Sequence, residues 1–130
     1  MNSQHLELNL VLGWIGVLLG FLSGFILGLF FHGEDWLGGY GSYKRRLYRL
    51  AHISLFGLGS VNLLFYFTAH SLGATPALTA ASWAFSIGAL TMPICCILMA
   101  HYSKARLFFA VPVVSLIIGG LLTLWQLTKP

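Results

Sequence analysis

The sequence predicts an all-α protein, a single integral membrane domain over residues 1–130 that folds as an up-down four-helix bundle. Four apolar stretches of 24, 20, 24 and 21 residues contain none of the ten formal charges of the chain. Each is long enough for a helix to cross a hydrocarbon layer about 30 Å thick. Charged residues make up only 8% of the chain, against about 25% in soluble domains. The predicted spans are Leu8–Phe31, Leu50–Ala69, Ala77–Ala100 and Leu107–Leu127.

The spans are predicted to be helices because backbone groups in lipid must form their hydrogen bonds within the segment. Only seven residues separate the second span from the third, and six separate the third from the fourth. Connections this short place consecutive helices side by side and antiparallel. Pro93 and Pro112 fall inside the third and fourth spans, where we expect them to kink the helices.

The basic residues predict how the chain is threaded through the membrane. Short cytoplasmic loops of membrane proteins are enriched in Lys and Arg, and alternating helices place both basic gaps on one side. We therefore expect a multi-pass protein of the cell membrane with both termini outside and the basic loops in the cytoplasm. The cations mark topology, and we expect no nucleic-acid partner. Six of the seven Lys and Arg residues lie in these two gaps: Lys44, Arg45, Arg46, Arg49, Lys104 and Arg106.

Five glycines form a stripe along one face of the first span. Glycine ladders of this kind, often called glycine zippers, let a second helix approach closely, and membrane helices associate largely through such fit. Two interpretations stay open: the stripe packs against the protein's own helices, or it docks a partner protein or a flat cofactor. The glycines, spaced three and then four apart, are Gly13, Gly16, Gly20, Gly24 and Gly28.

Three histidines are expected near the cytoplasmic edge of the membrane. His32 follows the first span, His52 lies near the start of the second, and His101 follows the third. Histidine is costly in lipid, so His52 should face the bundle interior, where it can meet His32 or His101. Neutral imidazole is a common ligand of haem iron, so these residues are candidate axial ligands of haem b.

Three arginines lie close to these histidines in the sequence. Arg45, Arg46 and Arg49 could hold haem propionates by charge-assisted hydrogen bonds. The alternative is that the histidines are ordinary residues of the membrane interface. Met92, Cys95 and Met99 share a helix face and offer sulfur to cuprous ion, but apolar filling is the favoured interpretation of that face.

The sequence offers little for catalysis. No Asp or Glu lies within a span, so the buried carboxylate on which small multidrug exporters depend is missing. Catalysis requires positioned groups with perturbed chemistry, and no such constellation is found, so we expect no enzyme activity.

The prediction is a non-catalytic accessory or assembly subunit of a larger membrane complex, bound to lipid and to other membrane proteins through the glycine face. The alternative is a haem b electron carrier with two histidine ligands. The general architecture resembles small membrane cytochromes and the anchor subunits of respiratory complexes, but a likeness of fold does not determine function.

Overall fold

The computed structural model describes residues 4–73 and 75–129 of the chain. They form four long helices, and short 3-10 helices at Trp36–Gly38 and Ser103–Phe109 lie in the first and third connections. Four helical segments, the last including the 3-10 helix that precedes it, are long and apolar enough to cross a membrane. The predicted all-helical architecture with four candidate spans is therefore confirmed. The long helices are α1 (Gln4–Phe30), α2 (Tyr43–Leu72), α3 (Pro76–His101) and α4 (Ala110–Thr128).

Helix α2 begins well before the apolar stretch that predicts it. Ser42 caps the helix, and its hydroxyl accepts a 3.1 Å hydrogen bond from the backbone N–H of Arg45. Such a cap satisfies one of the N–H groups that have no partner at the start of a helix. Lys and Arg are good helix formers, so the basic residues before Leu50 lie on the first two turns of α2 and not in a loop.

The two prolines inside predicted spans occupy different positions. Pro93 lies within α3, which runs unbroken from Pro76 to His101. Pro112 lies in the first turn of α4, where backbone N–H groups have no partner within the helix and proline is tolerated. A 3-10 helix directly precedes α4, so the regular α-helix begins two residues before Pro112 rather than well ahead of it.

The helices pack in chain order. Helix α1 packs on α2, α2 on α3, and α3 on α4, while α1 also touches α3. Helix α4 makes most of its contacts with α3 and with the preceding 3-10 helix, so it lies at the edge of the assembly. A buried apolar cluster joins α2 to α3 near their connection: Phe65, Ala69, Leu78, Ala81 and Phe85.

The glycine face of α1 packs against α2. Gly16 approaches Gly59 so closely that a Cβ on Gly16 would lie 2.9 Å from the Gly59 Cα. A Cβ on Gly59 would in turn lie 2.8 Å from the backbone oxygen of Gly13. Added side chains at Gly13, Gly20 and Gly24 would also meet α2 residues, whereas Gly28 has nothing within 4 Å. Four of the five predicted packing glycines therefore contact the protein's own second helix.

Candidate functional site

His52 and Ser23 form a polar contact between α1 and α2. The imidazole lies against the bare backbone of Gly24, where an added Cβ would be 2.8 Å from the ring carbon Cε1. Its Nδ1 is 2.9 Å from the Ser23 hydroxyl oxygen. Any larger residue at position 24 would displace the ring, so the glycine stripe makes the room that His52 occupies.

The Ser23 hydroxyl lies within hydrogen-bond distance of both its own helix and the His52 ring. The Ser23 hydroxyl donates its hydrogen to the backbone oxygen of Gly20 at 3.0 Å. A serine hydroxyl has one hydrogen, so while Ser23 donates to Gly20 its oxygen can accept from His52 only in the tautomer that carries the proton on Nδ1. That tautomer leaves the lone pair on Nε2. A neutral imidazole with its Nδ1 proton held by a neighbour is the form that binds metals through Nε2.

A groove of about 430 Å³ opens beside His52 between α1 and α2. No described residue forms a hydrogen bond with Nε2 of His52, so in the tautomer protonated on Nδ1 this nitrogen is an acceptor without a partner. The rings of Phe21 and Phe56 meet edge to face with centroids 5.5 Å apart. The groove is lined by Gly20, Phe21, Gly24, His52, Ile53, Phe56 and Gly57.

The other two predicted ligands have different surroundings. His101 is exposed, and its Nε2 lies 2.9 Å from the Tyr48 hydroxyl. His32 is exposed in the connection after α1 and makes no hydrogen bond or ring contact with the described part of the chain. The structure therefore places His52 against α1, His101 against Tyr48 and His32 at the surface, rather than in one cluster.

Arg45 is buried in an aromatic cage, with 1% of its surface exposed. Its guanidinium carbon lies 3.8 Å from the ring centre of Tyr40, 4.4 Å from that of Phe31 and 5.5 Å from that of Trp36. The two terminal nitrogens donate to the backbone oxygens of Phe31 and Gly33. These contacts hold the connection between α1 and α2 against the start of α2, and they occupy the Arg45 guanidinium within the protein.

The remaining arginines of the predicted propionate group are exposed. Arg46 is exposed at the surface of α2. Arg49 is also exposed, with its guanidinium carbon 5.8 Å from the Phe31 ring centre. The three predicted arginines thus have three different environments, and only Arg46 and Arg49 remain at the surface.

A cluster of four buried polar residues links three helices at the other end of the molecule. The amide nitrogen of Asn9 donates to the side-chain oxygen of Asn62 at 2.7 Å and contacts Ser86 Oγ at 3.3 Å. The Ser82 hydroxyl bonds to Asn9 Oδ1 and to the backbone oxygen of His5. The sequence pattern alone did not bring these four residues together. The available signal was an asparagine within an apolar span, which needs a buried partner.

Helices α3 and α4 enclose a second groove, of about 700 Å³. Small side chains form much of its floor, including Ala80 and Ala84 one turn apart on α3 and Ala110 at the start of α4. The Ser115 hydroxyl donates to the Ala84 backbone oxygen at 2.5 Å, so this hydroxyl is engaged within the protein. The groove is consequently an apolar surface.

Metal ligands do not gather within residues 4–73 and 75–129. No three side chains among His, Cys, Asp and Glu of this part lie together in a way that could hold a metal ion. Cys95 and Cys96 are free and buried, and Cys95 Sγ contacts the Phe108 backbone oxygen at 3.6 Å. This contact lies where α3 meets the second 3-10 helix.

Comparison with known proteins gives no relative from which a function could be transferred. No protein-family model matches the chain, and neither a curated protein nor a solved structure matches it.

Proposed function

We propose that this chain is a multi-pass membrane protein that serves as a non-catalytic subunit of a larger membrane complex. The observation that carries the proposal is the groove between α3 and α4, about 700 Å³ and lined almost wholly by apolar side chains. The proposed occupant is a transmembrane helix of a partner subunit. The proposed orientation has both termini outside and the basic connections in the cytoplasm, following the distribution of Lys and Arg.

The composition of the groove supports a helix as its occupant. Membrane helices associate through close van der Waals fit, and small residues at the interface let the backbones approach. Ala80 and Ala84 provide such a surface on α3. Helix α4 adds Val114 and Ile118 as the facing wall. The glycine face of α1 offers less to a partner because α2 already covers it, apart from the open surface at Gly28.

The hydrogen bonding of the polar residues supports a structural role. Asn9, Asn62, Ser82 and Ser86 bond with one another and with nearby backbone. Satisfied polar clusters of this kind fix helix positions. Catalysis would instead require polar groups that converge on a substrate-sized space.

Photocrosslinking at neighbouring positions of α4 tests this proposal. Ile118 lines the groove, whereas Ile117 is exposed on α4 and does not line it. A photoreactive residue at position 118 is expected to give a discrete crosslink to one membrane polypeptide in native membranes. The same residue at position 117 is the matched control and should crosslink mainly to lipid. Lipid adducts alone at both positions would refute a partner helix in this groove.

The geometry of His52 favours a second candidate function, the binding of haem b. His52 Nδ1 lies 2.9 Å from the Ser23 hydroxyl, and His52 lines a groove in which three glycines leave room for a flat ring. His52 would then be one axial ligand. A second ligand from His101 would require that residue to leave Tyr48.

An absorption spectrum tests the haem candidate directly. The purified wild-type protein, supplied with haemin, should give a reduced-minus-oxidised spectrum that the His52→Ala variant lacks. The Ser23→Ala variant should retain haem with weaker affinity, because the ligand is no longer oriented. An identical spectrum for wild type and His52→Ala would exclude His52 as the ligand.

A further inference from the structure

We infer that the basic end of the molecule holds the phosphate group of an anionic membrane lipid. The site consists of two adjoining hollows of about 670 and 610 Å³, which share Tyr43 and Ser103 as lining residues. They lie where the start of α2 meets the connection between α3 and α4. We name this surface the basic groove; its polar lining residues are Ser42, Tyr43, Lys44, His101, Ser103, Lys104 and Arg106.

Within residues 4–73 and 75–129, the cations of the basic groove have no anionic partner. Lys44, Lys104 and Arg106 are exposed, and the described residues form no salt bridge with them. Arg45 differs, because backbone oxygens and aromatic rings engage its guanidinium inside the fold. Three neighbouring cations repel one another, so a bound anion would lower the electrostatic energy of this surface.

Hydroxyl donors complete a phosphate-binding surface. Tyr43 and Ser103 are exposed and line both hollows, and their hydroxyls make no hydrogen bond within the described part of the chain. Charge-assisted hydrogen bonds from hydroxyls and ammonium groups to an anionic oxygen are about twice as strong as neutral ones. The groove thus combines cationic and neutral donors around one space.

The apolar wall of the groove distinguishes a lipid from a free phosphate ion. Leu107 lines one hollow with 80% of its surface exposed, and Leu37 and Met99 line the other. A phosphate ion gains nothing from these side chains, whereas the glycerol and acyl segments of a lipid would cover them. Basic surfaces between membrane helices on the cytoplasmic side recognise anionic headgroups in this way.

The inference rests on the proposed membrane location and is independent of any partner subunit. Native mass spectrometry of the purified full chain measures lipid binding, with phosphatidylglycerol and phosphatidylcholine of identical acyl chains as probes. The wild type should retain phosphatidylglycerol in preference to phosphatidylcholine. The double variant Lys104→Gln/Arg106→Gln should bind phosphatidylglycerol roughly 30-fold more weakly, given the contribution of each cation near an anionic lipid.

Two comparison variants separate a defined site from diffuse charge attraction. Arg46→Gln removes a cation from the same end but outside the groove, and Lys129→Gln removes one from the other end of the chain. Both variants should bind phosphatidylglycerol with an affinity within about twofold of the wild type, since their cations do not line the site. An equal loss in Arg46→Gln and Lys104→Gln would overturn the inference, as would equal retention of both lipids by the wild type.

A soluble competitor tests the source of the phosphate. Glycerol phosphate at the concentration of the lipid should leave phosphatidylglycerol bound, because it cannot cover Leu107. Its displacement of the lipid would overturn the assignment to a membrane lipid. Circular dichroism of each variant should match that of the wild type, which would show that the exposed substitutions leave the helices formed. Failure of the lipid test would leave the crosslink from Ile118 unaffected, so the two proposals fail separately.

Discussion

The side-chain amide of Asn9 on α1 donates a 2.7 Å hydrogen bond to the side-chain oxygen of Asn62 on α2, and neither residue is exposed. Asn9 also bonds to Ser82 and Ser86 on α3. One residue therefore ties the first helix to two others inside an otherwise apolar interface. Rotation of α1 about its own axis would break these bonds and leave buried polar groups without partners.

Removal of this link should destabilise the protein measurably. We expect Asn9→Ala to reduce the free energy of unfolding by about 1–3 kcal/mol, because Asn62 and Ser82 lose a buried partner. Unfolding in mixed micelles of increasing SDS content, followed by circular dichroism, measures this change.

A double-mutant cycle with Asn62→Ala should give a coupling free energy of about 0.5–2 kcal/mol between the two residues. The control is Ser60→Ala, since Ser60 donates only to Phe56 of its own helix. Additive effects of the two Asn variants would contradict the coupling.

The contact of Gly16 with Gly59 should tolerate no added methyl group. A Cβ on Gly16 would lie 2.9 Å from both the Gly59 Cα and the Leu55 backbone oxygen. These atoms belong to the backbone and cannot move aside alone, so Gly16→Ala should cost about 1–3 kcal/mol of stability. Gly28→Ala on the same helix should be neutral or stabilising, because nothing lies nearby and Ala is the better helix former. The same SDS unfolding assay compares the Gly16→Ala and Gly28→Ala variants. Equal unfolding midpoints for the two would refute the packing of α1 on α2.

Arg45 should not be replaceable by lysine. The guanidinium donates to the backbone oxygens of Phe31 and Gly33 while it lies 3.8 Å from the Tyr40 ring centre. Lysine has one compact ammonium group and cannot reproduce the planar, forked contacts. We expect Arg45→Lys to lower stability by about 2 kcal/mol or more. It should also shift the emission of Trp36 as the cage loosens.

The matched control for this prediction lies one residue further along α2. Arg46 is exposed, so Arg46→Lys should change stability by less than about 0.5 kcal/mol. The other tryptophans complicate the fluorescence, and Trp36→Phe identifies the signal that belongs to the cage. Equal stability of Arg45→Lys and Arg46→Lys would contradict the structural importance of the cage.

Adjacent glycines of α4 test how this helix is seated on α3. A Cβ on Gly119 would lie 3.1 Å from the ring of Phe85, whereas Gly120 has open space around it. Gly119→Leu should therefore destabilise the protein by about 1–3 kcal/mol through overpacking. Gly120→Leu should be neutral or stabilising through helix propensity. Thermal denaturation in detergent compares the two variants. The opposite order would mean that α4 presents another face to α3, and the groove at Ile118 would have to be reassigned.

The outcome for the histidines shows where prediction from sequence succeeds and where it stops. His52 and the glycine stripe could each be recognised from residue type and helical spacing, and the ring does lie on Gly24. Spacing did not predict that Ser23 would hold its Nδ1. Nor did it predict that His101 would bond to Tyr48. Such pairings depend on the rotation of each helix, which hydrophobicity alone leaves undetermined when every face is apolar.

The sequence by itself determined the number of helices, their order and the ends at which the cations lie, because span length and apolar composition are local properties of the chain. The tertiary structure decided that Asn9 meets Asn62, that Arg45 is enclosed by rings, and that α4 lies at the edge against α3. These features depend on which faces come together. That choice is made by close packing between distant segments, where the absence of a single Cβ at Gly16 or Gly59 allows two backbones to touch.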